Sequence, residues 1–279
     1  MNSKILILGS SGLLGQTLVE FFKQKNYSIG ILSRKPMKYI EKNITAYAVN
    51  ILDEKLLEPV IKEYDVIINC TGQITDPINQ CLLLNTKGTT NIINAVKKSN
   101  KKLIHISSVS VYGTAEYVEE DSDLNPETPY GSMKSFSDYL IETNLTNYTI
   151  LRVSNLFGKN QEKGIINYLT KSYLLDEKNL YFNNDGSLKR YYINIEDFAL
   201  IVNEVMEQKI VGIYNIVGKD QLTIKELVAK FENILNYKYS VNYANTSSIE
   251  NIETIDTNKI DTLIHQNFKT SIESFIKDL

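Results

Sequence analysis

The first 25 residues constrain the possible folds of this 279-residue chain more than any other segment does. An apolar run, Lys4 to Leu8, is followed by Gly9, Gly12 and Gly15, and the next residues carry apolar side chains at helical spacing. The segment therefore predicts a strand, a glycine turn and a helix. In such a unit the glycines permit a tight turn, close approach of a pyrophosphate, and close packing of helix on strand. Because a helix N-terminus attracts anions, we predict a dinucleotide site here, with candidate contacts Gly9, Ser11, Gly12, Leu13, Leu14 and Gly15.

The end of the second predicted strand indicates which dinucleotide is bound. Tyr27 to Leu32 has a strand pattern, Ser33, Arg34 and Lys35 follow it, and no acidic residue lies between positions 27 and 38. An NAD site places a carboxylate about twenty residues after the glycines, whereas an arginine there accommodates the 2′-phosphate of NADP. Ser33 and Arg34 can give a hydroxyl and a guanidinium to that phosphate. We therefore predict NADP(H), with NAD(H) as the alternative if Arg34 and Lys35 are ordinary loop charges.

Strand and helix patterns alternate along the first 153 residues. Apolar or β-rich runs occur at Lys4–Leu8, Ser28–Leu32, Thr45–Val49, Asp65–Cys70, Lys102–Ser107 and Thr149–Val153. Helical patterns fill most of the gaps, including Gly12–Lys25, Leu83–Ser99 and Tyr130–Asn144. This alternation predicts an α/β fold of the Rossmann type, a doubly wound parallel sheet with helices on both faces. Ligands bind at the carboxyl ends of such strands, where the chain has Gly9, Arg34, Thr71, Gly72, Ser107, Ser108 and Asn155.

Beyond about residue 160 the alternation loosens. Helical stretches such as Gly164–Leu175 are mixed with short β-rich pieces at Asn179–Phe182 and Gly212–Ile216. We predict a dinucleotide-binding domain over residues 1–160. Over residues 161–279 we predict a smaller C-terminal lobe that mainly binds substrate and is interleaved with the sheet.

A second motif predicts acid–base chemistry beside the dinucleotide. Tyr130 and Lys134 are four residues apart in a helical pattern, so they lie one turn apart on the same face. A lysine ammonium beside a phenol favours the phenolate, so Tyr130 can exchange protons closer to neutral pH than an isolated tyrosine does. Such a group serves as the general acid or base when a hydroxyl and a carbonyl interconvert.

The composition excludes several classes of function. The net charge of −3 argues against nucleic acid as a partner. Cys70 and Cys81 lack metal-binding spacing, and no acidic cluster has it either, so we expect no metal. The apolar start is too short for a signal peptide, and no stretch is long enough to span a bilayer. We therefore expect a cytoplasmic protein without a membrane partner.

With these residues the chain resembles the extended short-chain dehydrogenase/reductase family, in its NAD-dependent epimerase/dehydratase group that acts on nucleotide sugars. The resemblance runs almost end to end, and its motifs occur in the family's order. They are the glycine turn, Asn85-x-x-Gly88-Thr89, Ser-Ser-x-x-Val-Tyr-Gly at 107–113, Pro129-Tyr-Gly-Ser-Met-Lys134, Leu151-Arg-x-x-Asn155-Leu-Phe-Gly158, the segment 185–197 and Tyr214-Asn-Ile-Val-Gly218.

The resemblance implies roles by position. Ser108 would hydrogen-bond the reacting oxygen, although Ser107 or Ser110 could share that role. Tyr130 would donate or accept the proton, and Lys134 would lower the pKa of Tyr130 and hold the nicotinamide ribose. Asn155 and Arg190 would hold the diphosphate of the substrate. The other implied cofactor contacts are Asn50, Ile51, Thr71, Gly72 and Asn85; Asn50 stands where the family usually has an acid.

The family commonly forms dimers through two helices of each subunit, so the resemblance implies a homodimer. The candidate helices are Leu83–Ser99 and Tyr130–Asn144. The side chains that could supply this face, or could equally belong to the core, are Ile92, Ile93, Val96, Phe136, Tyr139 and Leu140.

Two features of the sequence limit the reactions that we expect this chain to catalyse. Sugar 4,6-dehydratases carry an Asp-Glu pair where this chain has Val109 and Ser110, and Val109 cannot transfer a proton, so we do not expect a dehydratase. A 4-epimerase keeps its NAD bound, whereas a reductase consumes and releases its coenzyme, and Arg34 favours NADPH.

Our first hypothesis is therefore an NADPH-dependent reductase of a nucleotide-linked 4-keto-6-deoxy sugar, which would give a nucleotide deoxyhexose for surface polysaccharide. Tyr130 would supply the proton, and Ser108 would stabilise the carbonyl oxygen. The alternatives are an NAD(P)-dependent nucleotide-sugar 4-epimerase, a reductase of a small carbonyl compound without a nucleotide, and a non-catalytic NADP(H)-binding protein.

Overall fold

The computed structural model of the chain describes residues 3–33, 42–72, 76–246 and 249–279. The strands are β1 Lys4–Leu8, β2 Ser28–Ser33, β3 Ile44–Ala48, β4 Val66–Asn69, β5 Lys102–Ser108, β6 Ala115–Val118, β7 Tyr148–Val153, β8 Asn155–Phe157, β9 Asn179–Phe182, β10 Lys189–Asn194, β11 Gly212–Ile216, β12 Asp220–Thr223, β13 Ser240–Tyr243 and β14 Ile252–Ile255. The helices are α1 Leu13–Gln24, α2 Glu54–Lys62, α3 Ile78–Leu83, α4 Thr89–Ser99, α5 Pro129–Asn144, α6 Ile165–Leu174, α7 Ile195–Glu207, α8 Ile224–Leu235, α9 Asn258–Asp261 and α10 Ile272–Lys277. None of the helices in these ranges is long and apolar enough to cross a membrane.

The central element is a parallel sheet of seven strands in the order β11-β7-β5-β4-β1-β2-β3. From β1 the chain moves outward through β2 to β3, returns to β4 on the other side of β1, and then continues in the opposite direction. The order therefore reverses between β1 and β4, which is where such sheets open a crevice for ligands. The predicted doubly wound Rossmann-type fold is confirmed.

The inner strand β1 is apolar on both faces, and helices cover both faces of the sheet there. In β1, Ile5 and Ile7 point into one hydrophobic cluster, and Leu6 and Leu8 point into another. Successive side chains of a strand alternate between the two faces, so one short apolar run supplies both cores. Helices α1 and α7 complete the first cluster, and α2, α4 and α5 complete the second.

The second half of the chain contributes both to this sheet and to a smaller lobe. Gly212–Ile216, which the sequence placed among the pieces of the lobe, is β11 and pairs with β7 at the edge of the main sheet. A short β-rich run does not indicate its pairing partner, so only the tertiary structure shows this position. Helices α6, α8 and α10 pack around a third apolar cluster, beside the small sheet β12-β10-β8.

The helix predicted from Leu83 begins earlier, at Ile78. Helix α3 continues through a π-helical turn, Leu84–Gly88, into α4. The sequence did not indicate the first turns because their apolar side chains, Ile78 and Leu82, are exposed and follow no burial pattern. The other long helices differ from the predicted ranges by only a residue or two at their ends.

The buried Lys102 makes stability depend on pH. Its ammonium donates to the carbonyl of Ile210 at 2.6 Å, and burial lowers the pKa of Lys102 from 10.5 to about 8. Because this pKa lies below its usual value, the unfolded chain binds the proton more tightly, and the free energy of unfolding rises as the pH rises from about 8 to about 10.5. Below pH ~8 Lys102 is protonated in both the folded and the unfolded chain, so its contribution to the free energy of unfolding no longer changes with pH.

We therefore expect Lys102→Met to raise the free energy of unfolding at pH 7 by roughly 1–3 kcal/mol, and to leave it little changed above pH ~10.5. Urea denaturation across this range measures the effect. Lys101→Met is the matched control, because the Lys101 ammonium lies 3.9 Å from Asp65 and is not held in the core. An equal pH slope in wild type and Lys102→Met would contradict the assignment.

Candidate active site

One cleft of about 710 Å³ lies at the carboxyl ends of the central strands and extends towards the smaller lobe. It brings together many of the residues that the sequence singled out. Those that line it are Gly9, Ser11, Gly12, Leu13, Leu14, Gly15, Ser107, Ser108, Tyr130, Asn155 and Arg190. Residues from five regions of the chain, which together span more than 180 positions, therefore face one cavity.

The glycine turn at one end of the cleft has the geometry that a dinucleotide requires. Gly9 adopts a φ of +80°, a left-handed conformation that favours glycine. A Cβ on Gly15 would lie 2.2 Å from the carbonyl oxygen of Gly9, so only glycine allows α1 to start this close to β1. Gly12 precedes α1 and has no side chain to cap its first N–H groups. These groups are available to a pyrophosphate, so the residues present fit a nicotinamide dinucleotide.

Lys134 lies behind the cleft surface, one turn along α5 from Tyr130. Its side chain is fully buried, and its ammonium donates to the carbonyls of Thr71 at 3.1 Å and Ile106 at 2.9 Å. Burial lowers the pKa of Lys134 to about 8, against the opposing effect of Asp138. A cation is thus held at a fixed place by a residue one helical turn from Tyr130, with its pKa lowered to about 8.

The first turn of α5 is fixed by its N-cap. Thr128 accepts a hydrogen bond from the backbone N–H of Gly131 at 3.1 Å, and Pro129 occupies the first helical position. Both features are typical of a well-defined helix start, so Tyr130 projects from a fixed turn into the cleft. Close to the start of α5, Ser108 ends β5, and its hydroxyl accepts from the N–H of Ser110 at 3.2 Å.

Several predicted cofactor residues do not line the cleft as the described part of the chain forms it. Asn85 is buried, and its amide donates to the carbonyls of Gly72 at 3.1 Å and Cys81 at 2.9 Å. It therefore supports the backbone that follows β4, where Thr71 accepts the bond from Lys134. The direct cofactor contacts proposed for Thr71, Gly72 and Asn85 stay predictions.

Asn50 and Ile51, which the family resemblance implies as adenine contacts, lie between β3 and α2. Asn50 accepts a hydrogen bond from the N–H of Leu52 at 3.0 Å, and the buried Ile51 accepts at its carbonyl from Asn91 at 2.9 Å. Ser33 ends β2, while Arg34 falls outside the described residues. The adenine contacts and the preference for NADP(H) thus remain predictions from the sequence.

The residues predicted to bind substrate, Asn155 and Arg190, come from β8 and β10 and line the same cleft. Asn155 is exposed, and its amide donates to the carbonyl of Tyr191 at 3.3 Å. Arg190, on β10, is mostly buried and lies 3.5 Å from the carboxylate of Glu250. The sequence did not indicate Glu250 as a site residue, because no motif or apolar periodicity links position 250 to position 190.

A buried polar network holds α5 against the sheet behind these residues. Asp138, one turn beyond Lys134, accepts from Nε of Arg152 at 3.1 Å. Nη1 of Arg152 donates to the hydroxyl of Tyr112 at 2.8 Å, which in turn donates to Asn215 at 2.7 Å. Burial raises the pKa of Asp138, and the neighbouring Arg152 opposes that rise. The pair joins α5 to β7 deep inside the protein.

We expect Asp138→Ala to lower the free energy of unfolding by about 3–5 kcal/mol, because it would leave the guanidinium of Arg152 buried without its counterion. Denaturant titration at neutral pH measures this loss. Asp123→Ala, which removes an exposed carboxylate from a loop, is the control. Equal unfolding midpoints for the two variants would show that the buried pair does not stabilise the fold.

Comparison with known proteins places this site in a family. The model of the NAD dependent epimerase/dehydratase family matches residues 5–217. The dTDP-D-glucose 4,6-dehydratase of Dictyostelium discoideum is 24% identical over 270 residues, which cover 83% of this chain and 62% of that protein. This chain thus spans less than two thirds of that relative. A putative UDP-glucose 4-epimerase of Methanocaldococcus jannaschii is 30% identical over 220 residues, 70% of each chain.

A solved structure shares the whole fold. The dTDP-glucose 4,6-dehydratase of Bacillus anthracis, in complex with NAD, matches with a TM-score of 0.87 at 24% identity, over 99% of this chain and 95% of that one. The family model covers the glycine turn, Ser108, Tyr130 and Lys134, which confirms the resemblance inferred from the motifs. This chain belongs to the NAD dependent epimerase/dehydratase family.

Proposed function

We propose that this protein is an NADPH-dependent reductase of a nucleotide-linked 4-keto-6-deoxy sugar. The observation that carries the proposal is the single cleft that the glycine turn, Ser108, Tyr130 and Arg190 line together. This arrangement suits a dinucleotide and a second anionic ligand that meet at a tyrosine. The named relatives act on dTDP-glucose and UDP-glucose, which supports a nucleotide sugar as that ligand.

The chain's own residues supply the acid and the stabilising groups. A bound nicotinamide dinucleotide supplies the hydride. Tyr130 donates its phenolic proton to the sugar carbonyl oxygen, and the hydroxyl of Ser108 donates a hydrogen bond to the same oxygen. Lys134 stabilises the phenolate that remains on Tyr130, because its buried ammonium is held one turn away. Arg190 and Asn155 orient the diphosphate.

We expect Tyr130→Phe to lower kcat by roughly 10²- to 10⁴-fold, because the phenylalanine ring has no hydroxyl to donate the proton. The assay follows NADPH loss with a nucleotide 4-keto-6-deoxy sugar. Tyr139→Phe removes an exposed hydroxyl from the same helix and is the matched control. Undiminished turnover by Tyr130→Phe would rule out the proposed mechanism.

The preference for NADPH depends on Arg34 and on the missing acid after β2. Calorimetric titration of protein freed of any co-purified dinucleotide should show tighter binding of NADPH than of NADH. Arg34→Ala should weaken NADPH binding by roughly 10- to 100-fold and spare NADH, because a charge-assisted bond to the 2′-phosphate is lost. Lys35→Ala is the control, with a much smaller effect expected.

The second candidate function is a nucleotide-sugar 4-epimerase. It uses the same Ser108, Tyr130 and Lys134, and the Methanocaldococcus jannaschii relative favours it. An epimerase oxidises and re-reduces its substrate, so it retains its coenzyme. Tightly retained NAD, or a preference for NADH in the titration above, would therefore favour the epimerase. A non-catalytic NADP(H)-binding role is disfavoured by the intact Ser108, Tyr130 and Lys134 set.

We further propose a homodimer that pairs α3 and α5 with the same helices of a second copy. Ile92, Ile93 and Val96 are buried in the core and are not available for this contact. Large apolar side chains on the neighbouring turns are exposed instead: Ile78, Leu82, Leu83, Phe136 and Tyr139. Exposed apolar side chains on two helices that contact each other are typical of a protein interface.

A further inference from the structure

A carboxylate from a distant part of the chain lies at the substrate end of the cleft. The side chain of Glu250 lines the cavity and is 13% exposed. One of its carboxylate oxygens accepts from the hydroxyl of Thr128 at 2.6 Å, and the other accepts from Ser110 at 3.3 Å. The second oxygen also lies 3.5 Å from Nη2 of Arg190. Glu250 thus connects the arginine to the N-cap of α5.

The terminal nitrogens of Arg190 are already engaged by this segment. Nη1 donates to the carbonyls of Lys189, at 3.2 Å, and Glu250. Nη2 donates to the carbonyl of Ile249 at 3.2 Å and faces the Glu250 carboxylate. These four acceptors equal the four N–H groups that the two terminal nitrogens carry. A diphosphate that binds this fork must therefore replace an acceptor, and the Glu250 carboxylate is the anion among them.

The backbone keeps Glu250 in this place. Its φ of +56° lies in the left-handed region, which residues with a side chain seldom adopt. Such a conformation persists only where surrounding contacts hold it. Here the N–H of Glu250 donates to Glu127, and the N–H of Asn251 donates to the hydroxyl of Thr114 at 3.2 Å. Because Thr128 and Arg190 contact different oxygens of the carboxylate, loss of the Arg190 contact does not itself break the bond to Thr128.

We propose that Glu250 is an internal counterion of Arg190, which the diphosphate of the substrate displaces, and that it determines specificity by this competition. The inference rests on the proposed function, since it assigns the substrate diphosphate to Arg190. A diphosphate carries more charge than the carboxylate and makes stronger charge-assisted bonds, so it replaces Glu250. A ligand without a charged group cannot replace it. The site therefore selects nucleoside diphosphate sugars over free sugars and small carbonyl compounds.

The test is calorimetric titration with inorganic pyrophosphate and with uridine diphosphate. The protein is first saturated with its dinucleotide, so that the glycine turn is filled. Glu250→Gln should bind both probes about 10-fold more tightly than wild type, because the competing charge is gone while the side chain keeps its shape. Glu116→Gln, which removes an exposed carboxylate from β6, makes the same change in net charge and should leave both affinities unchanged.

Two further variants make the result specific. Arg190→Met combined with Glu250→Gln should lose the gain in affinity, because the site of competition is removed. Glu250→Gly removes the carboxylate and suits the positive φ, so it should fold and bind both probes as tightly as Glu250→Gln. Unchanged or weaker probe binding by folded Glu250→Gln and Glu250→Gly would overturn the proposal.

Failure of the proposed reaction is distinguishable from failure of this inference. Tighter probe binding without turnover of any 4-keto-6-deoxy nucleotide sugar would leave the counterion role standing and refute the reductase. Turnover of such a sugar by wild type, with no gain of affinity in either Glu250 variant, would refute the counterion role alone.

Discussion

The contacts of the buried Lys134 ammonium are the interaction on which the position of α5 depends. The ammonium carries no solvent exposure and donates to carbonyls that follow β4 and lie in β5. A buried charge without partners costs several kcal/mol, so these two bonds position α5 over the strand ends. The Asp138–Arg152 pair, one turn further along α5, holds the same helix to β7. Tyr130 therefore projects from a helix whose side chains bond to β5, to β7 and to the backbone that follows β4.

Hydrogen bonds within and between distant segments explain how those segments can form a well-ordered cleft. The end that carries the glycine turn is made by parallel strands whose backbones are paired along their length. The end that carries Arg190 and Glu250 is made by β10 and by the segment before β14, and polar contacts tie that segment to the start of α5.

The charge around Arg190 differs from what the segment after β5 indicates. Val109 and Ser110 carry no carboxylate, although the family includes dehydratases. A carboxylate nevertheless reaches Ser110, because Glu250 approaches from a segment 140 residues later. In the same way Arg190 is not an isolated cation, since Glu250 and three carbonyls surround it. The charge around Arg190 therefore depends on how the segment before β14 packs against β10 and the start of α5.

Elements with local signals could be predicted from the amino-acid sequence. Alternating apolar runs predicted the parallel sheet, the glycines at positions 9, 12 and 15 predicted the turn, and a spacing of four placed Tyr130 and Lys134 on one helix face. The contacts between distant segments emerged from the folded protein: β11 beside β7, Lys134 on the carbonyls of Thr71 and Ile106, and Glu250 against Arg190. Apolar periodicity indicates which face of a helix or strand is buried, but it does not indicate which other element packs against that face. Partners far apart in the chain are chosen by the packing of the whole fold.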